Sequence, residues 1–184
     1  MILIISTCKR KLHELEFVNS IGKVLKESNI KLFIKHYSKI NQKDLNKADK
    51  IIISGTSLID NDFIKKENRI KFKWIKSINK PILGICAGAH IIALIFRCKV
   101  SNKKQMGKIQ VNFKKDFLGL TKGEYEVYNL HGLCPKLNNK FEIYAQAQGC
   151  PQAFKHKTKQ IYGVLFHPEV YQKDMIVNFC NFKE

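Results

Sequence analysis

Pro81-Ile82-Leu83-Gly84-Ile85-Cys86-Ala87-Gly88 is the stretch on which the reading of this chain turns. An apolar run of strand length ends in a cysteine that has a glycine two residues away on either side. Ala89 to Phe96, apolar and helix-compatible, comes next. The order predicts a strand, a sharp turn and a helix. Such an elbow needs small residues at the flanking positions, because its backbone is strained and lies close against its neighbours, and Gly84 and Gly88 meet that need. Cys86 would then stand at the carboxyl end of a sheet strand and at a helix amino terminus, where the helix dipole favours the thiolate. The N–H of Ala87 would be one donor to an oxyanion, and Gly55 or Thr56, at the end of a neighbouring strand, would supply a second.

Towards the amino terminus, apolar runs alternate with helical patterns. Ile2 to Ile5 reads as a buried strand, and Leu12, Leu15, Val18, Ile21 and Leu25 mark an amphipathic helix over residues 11 to 28. Ile30 to Ile34 and Ile51 to Ile53 read as the second and third strands, the latter ending at Ser54-Gly55-Thr56. Ile70, Trp74, Ile75 and Ile78 form the apolar stripe of the next helix, before the strand Pro81 to Ile85. This alternation predicts a flavodoxin-like α/β fold, a mostly parallel sheet flanked by helices. Beyond the elbow the pattern changes to additional short antiparallel strands, Ile109 to Phe113, Glu124 to Leu130, Phe141 to Ala147 and Gln160 to Phe166, and a last helix, Asp174 to Phe182. A chain of 184 residues with 45% apolar content suits a single domain over 1–184.

The net charge is +18, from 33 Lys and Arg against 15 Asp and Glu. The lysines are spread along the whole chain, and Arg10, Arg69 and Arg97 are the only arginines, so nucleic acid is not the expected partner. A lysine-rich surface, or attraction to an acidic partner, accounts for the charge. No window reaches the roughly 20 apolar residues of a membrane span, and the expected location is the cytoplasm. Cys8, Cys86, Cys98, Cys134, Cys150 and Cys180 form no CxxC pair, so no metal site is expected and most should be free thiols.

Phe166-His167-Pro168-Glu169 comes after a strongly apolar run, so its side chains should emerge at a strand end. Pro168 drives His167 into an extended conformation, in which residues two apart share a side. His167 and Glu169 can therefore face one site, the carboxylate aligning the imidazole. With Cys86 they compose a nucleophile, a base and an orienting group.

In that order, Ile82 to Gly88 and Gly163-Val164-Leu165-Phe166-His167-Pro168-Glu169-Val170 resemble the class I glutamine amidotransferases. Ile52-Ile53-Ser54-Gly55 resembles the family's oxyanion loop, and Leu130-His131-Gly132 its segment contacting bound glutamine. Lys155 to Val164 is similar to the separately encoded glutaminase subunits of archaeal GMP synthases. The resemblance implies a Cys86, His167 and Glu169 triad, an oxyanion hole at Gly55, Thr56 and Ala87, and substrate contacts from His90 and His131. It implies hydrolysis of L-glutamine through a thioester, no cofactor or metal, and a separate synthase subunit that consumes the ammonia. The chain departs from the family's common pattern at Thr56 and Ser57 in the oxyanion loop, at His90 in place of a glutamine, and at Leu133. Those departures leave two other expectations open, a stand-alone hydrolase of another γ-glutamyl amide and a weakly catalytic regulatory paralogue.

Overall fold

The structure, a computed structural model, describes residues 1–182. In chain order the elements are β1 (Ile2–Ser6), α1 (Glu14–Glu27), β2 (Leu32–His36), α2 (Gln42–Lys47), β3 (Lys50–Ile53), α3 (Lys66–Arg69), β4 (Ile82–Ile85), α4 (Ala87–Ile95), β5 (Lys99–Phe113), β6 (Gly123–Lys136), β7 (Phe141–Ala147), β8 (Cys150–His156), β9 (Ile161–Val164) and α5 (Lys173–Asn181). The strands form one sheet in the order β2-β1-β3-β4-β9-β8-β7-β5-β6. The first five of that order run parallel, and the remainder are added antiparallel.

The parallel half is covered on both faces, which is why its strands read as unbroken apolar runs. In β1, Ile2 and Ile4 pack with Phe17, Val18, Ile21 and Leu25 of α1 and with Met175, Ile176 and Phe179 of α5. Leu3 and Ile5 turn to the other face, against Leu45 of α2 and Ile91 and Ile92 of α4. Each fully buried Ile or Leu side chain contributes about 1.5–3 kcal/mol, so this double-sided layer is the rigid base on which the strand ends present their loops. Helix α1 carries Glu14 and Glu16 in its first turn, as its dipole favours, and stops at Asn29, whose φ is +57°.

Several boundaries differ from the sequence reading. The second strand is Leu32–His36, two residues later than the apolar run, and the segment Ile70–Lys76 is a 3-10 helix, with Phe72 and Ile75 as its buried residues. Leu12 and Leu15 lie on the surface; the buried stripe of α1 starts at Phe17. Strands β5 and β6 are not short: they pair as a long hairpin in which most outer residues alternate with the solvent, so only the apolar ends of each were legible. Strand β8 and helix α2 were not expected; α2 is started by a capping box in which Asn41 and Asp44 exchange side-chain bonds to each other's backbone N–H. Cys134 and Cys150 were expected to be free thiols and are joined as a disulfide, because the β7–β8 turn returns beside β6; Cys8, Cys86, Cys98 and Cys180 are free. No helix among the described residues is long and apolar enough to cross a membrane.

Candidate active site

The site lies where β3, β4 and β9 end together, as expected for a parallel sheet. Cys86 succeeds β4 directly and has φ +49° and ψ −102°, a conformation that L-residues rarely adopt and that costs on the order of 1–3 kcal/mol. The flanking glycines make the bend possible through close packing. A Cβ on Gly88 would stand 2.3 Å from the Ile53 carbonyl oxygen, and one on Gly84 would stand 2.6 Å from the Gly88 carbonyl group. Helix α4 can thus press against β3 and aim its first turn at the end of the sheet. Ala87 is its first residue, so the Ala87 N–H has no acceptor within the helix.

His167 reaches the same place from β9. Its N–H donates to the Tyr128 carbonyl at 2.8 Å, and a bridge between Asn129 and Phe166 lays β6 across the end of β9. The Nδ1 atom of His167 is 2.8 Å from Glu169 Oε1, and both side chains are buried. Phe17 of α1 packs against the other side of the imidazole, with ring centroids 5.4 Å apart. A Cβ on Gly55 would be 2.7 Å from His167 Cε1 and 3.4 Å from Cys86 Cβ, so the end of β3 fills the angle between the two side chains. Burial alone would lower the His167 pKa, but the negative charge of Glu169 and the neighbouring Cys86 outweigh it and hold the imidazole well above its ordinary value. The Cys86 thiol donates to the Leu130 carbonyl at 3.5 Å, and His167 Nε2 makes no hydrogen bond.

His90 and His131 form the wall beyond the sulfur. His90 lies one turn into α4 and donates its Nε2–H to the Leu133 carbonyl at 2.9 Å, tying α4 to β6. Burial brings its pKa down to about 4. His131 is likewise brought to about 4, by burial first and then by the neighbouring His90, so both imidazoles are neutral at physiological pH. Asn129 Nδ2 lies 3.3 Å from His131 Nε2 and 3.1 Å from Gln152 Oε1, and Gln152 in turn donates to Gln105 at 2.8 Å. His131 Nδ1, His167 Nε2 and Glu169 Oε2 are all buried side-chain atoms without a partner. The cavity itself, lined by Thr56, Leu58, Phe63, Cys86, His90 and His131 among others, measures about 20 Å³, room for roughly one water molecule. No cluster of His, Cys, Asp and Glu suited to a metal ion occurs among the described residues.

Of the sequence-derived residues, Cys86, Thr56, Ala87, His90 and His131 line one small cavity, while His167, bonded to Glu169, meets Gly55 beside Cys86. Reasoning from sequence missed Thr7, Phe17 and Asp60, which contact this group from the end of β1, from α1 and from the loop after β3. Thr7 lies just past the end of the first strand, as Gly55 and Thr56 lie just past the third.

A sequence model of the family described as glutamine amidotransferase class-I matches residues 13–181. The chain belongs to the class I glutamine amidotransferase family. Among curated proteins, a glutamine-hydrolyzing GMP synthase subunit of Thermoplasma acidophilum is 33% identical over 76% of this chain and 74% of its own length. The corresponding GMP synthase subunit of Methanocaldococcus jannaschii is 37% identical over 54% of this chain, and the match spans 58% of that protein. Among solved structures, a T. acidophilum protein assigned as a GMP synthase subunit superimposes with a TM-score of 0.84 at 28% identity, covering 97% of this chain and 91% of that one. A glutamine amidotransferase of Thermotoga maritima superimposes at 0.71 with 17% identity, covering 91% of this chain and 76% of that one, a likeness of fold.

Proposed function

We propose that this chain is a glutaminase that hydrolyses the side-chain amide of L-glutamine and passes the ammonia to a separate synthase subunit, with GMP synthase the first candidate. The observation that carries this reading is an elbow thiol beside a buried imidazole held by a carboxylate at 2.8 Å, at the start of a helix whose first N–H has no acceptor within the helix. His167 takes the Cys86 proton at Nε2, since Nδ1 is committed to Glu169. The sulfur then attacks the amide carbon, and the N–H groups of Ala87 and of the Gly55–Thr56 segment receive the developing oxyanion. His167 returns the proton to the departing ammonia and next activates a water against the thioester, leaving glutamate. His131, neutral and with Nδ1 free of protein partners, serves the substrate, while His90 shapes the wall and holds β6 in place.

The names of the relatives support the partner, since several are GMP synthase subunits described as glutamine-hydrolyzing. A cavity of about 20 Å³ is too small for a glutamine side chain. The lining must therefore open before substrate enters, and a docked synthase is the natural agent of that opening. The test is ammonia release from glutamine by the chain purified with the synthase from the same cells. Turnover that disappears in Cys86→Ala supports the reading; turnover that persists in that variant removes Cys86 from the chemistry.

A further inference from the structure

The loop after β3 is fixed in a way that the triad does not explain. The Gly55 carbonyl oxygen accepts from the Ser54 hydroxyl at 2.9 Å and the Thr7 hydroxyl at 3.1 Å, and the Cys8 thiol approaches it at 3.8 Å. The Thr7 hydroxyl also lies 3.2 Å from the Ser54 carbonyl, and the Thr7 N–H donates to Ser54 Oγ at 3.3 Å. That last bond orients the Ser54 hydroxyl, which receives from Thr7 and gives its own proton to Gly55. Two of these groups, Thr7 and Cys8, lie just past the end of β1. The next residue, Thr56, is held separately: its Oγ1 donates to Asp60 Oδ2 at 3.1 Å, and the same buried oxygen accepts the Lys9 N–H at 3.0 Å and pairs with His13 Nδ1 at 2.7 Å.

In the sheet, β3 lies between β1 and β4. A trans peptide directs its N–H opposite to its carbonyl. With the Gly55 carbonyl drawn to β1, the Thr56 N–H is turned towards β4, at whose end Cys86 stands. Gly55 itself is against Cys86 and His167, so this peptide borders the reacting sulfur. Turned over, it would present a carbonyl oxygen where the oxyanion has to be received. Glycine at 55 would permit that rotation; the Ser54 and Thr7 hydroxyls oppose it, and Thr7 does so from outside the loop.

We propose that Thr7 is a positioning residue for the glutaminase reaction: its hydroxyl holds the Gly55–Thr56 peptide with the Thr56 N–H presented to the oxyanion. The inference rests on the glutaminase reading. Removing one oxyanion donor costs about 10²–10³ in kcat, and loosening one costs less, so Thr7→Val should lower kcat by about 10- to 100-fold. Because the oxyanion forms only beyond the ground state, KM for glutamine should stay within about 3-fold. Thr7→Ser, which keeps the hydroxyl, should restore kcat to within about 3-fold of the wild type.

The experiment measures kcat and KM for wild type, Thr7→Val and Thr7→Ser in the complex with the synthase, alongside melting curves. Should Thr7→Val fail to fold, Thr7→Ala replaces it under the same criteria. A selective loss in kcat that serine restores supports the assignment. An unchanged kcat, a loss expressed in KM, or a serine variant as impaired as valine overturns it. A wild-type complex that releases no ammonia from glutamine overturns instead the glutaminase reading, and the assignment with it.

Discussion

Gly55→Ala tests the geometry of the site more directly than removal of any member of the proposed triad. The added Cβ would sit 2.7 Å from His167 Cε1, whereas carbon atoms in contact rest about 3.5–4.0 Å apart. The imidazole must therefore retreat by about 1 Å. It cannot do so freely, because Phe17 backs the ring and Glu169 holds Nδ1 at 2.8 Å. A misplacement of about 1 Å costs on the order of 10² in rate, so kcat should fall about 100-fold. The overpacking itself costs about 1–3 kcal/mol, and at about 2–4 °C per kcal/mol for a domain of this size the protein remains folded under assay conditions. Glutamate formation by the variant, measured in the synthase complex beside a melting curve, decides the matter. A folded variant with kcat within about 3-fold of wild type would show that His167 does not act from where it stands.

Four other outcomes follow from the same geometry. Glu169→Gln should reduce kcat by about 10²–10⁴, because in the proposed mechanism Glu169 aligns the imidazole that moves the proton. Because Glu169 raises the His167 pKa in the folded state, the stability it adds is fully present below the unfolded value of about 6.5 and fades as pH climbs through the higher folded value. Melting temperatures should accordingly separate wild type from Glu169→Gln more at about pH 5.5–6 than at about pH 9, and an equal gap at both ends contradicts the raised pKa. Gly88→Ala places a Cβ 2.3 Å from the Ile53 carbonyl oxygen, which belongs to rigid backbone; a loss of about 3 kcal/mol is expected, or about 6–12 °C in Tm, and a fall below about 2 °C refutes the close packing. Because the cavity holds about 20 Å³, the isolated chain should hydrolyse glutamine slowly and be stimulated about 5- to 150-fold by the synthase; equal kcat with and without it would show that the cavity opens unaided.

The features legible in advance came from periodicity and from turn chemistry. Ile2–Ile5, Ile51–Ile53 and Ile82–Ile85 are apolar on both faces, and a strand covered on both sides leaves no polar residue to blur the signal. The elbow was legible because steric crowding admits only glycine at 84 and 88. His167 and Glu169 were found together because Pro168 limits the backbone between them. The longer extents of β5 and β6 were obscured by surface positions such as Lys103, Lys104 and Lys108, whose side chains say nothing about pairing. Leu12 and Leu15 satisfied the helical spacing but fall outside the covered face, since propensity and period do not say which residues a neighbour reaches. Cys134 with Cys150, and Thr56 with Asp60, depend on how turns return, which no local pattern records.

The unusual backbone at Cys86 bears on how this chain can change over time. At φ +49° and ψ −102° a glycine is relaxed and any other residue is not. Drift released from the demand for chemistry would therefore slide towards glycine at 86, gaining ease of folding while surrendering the thiol.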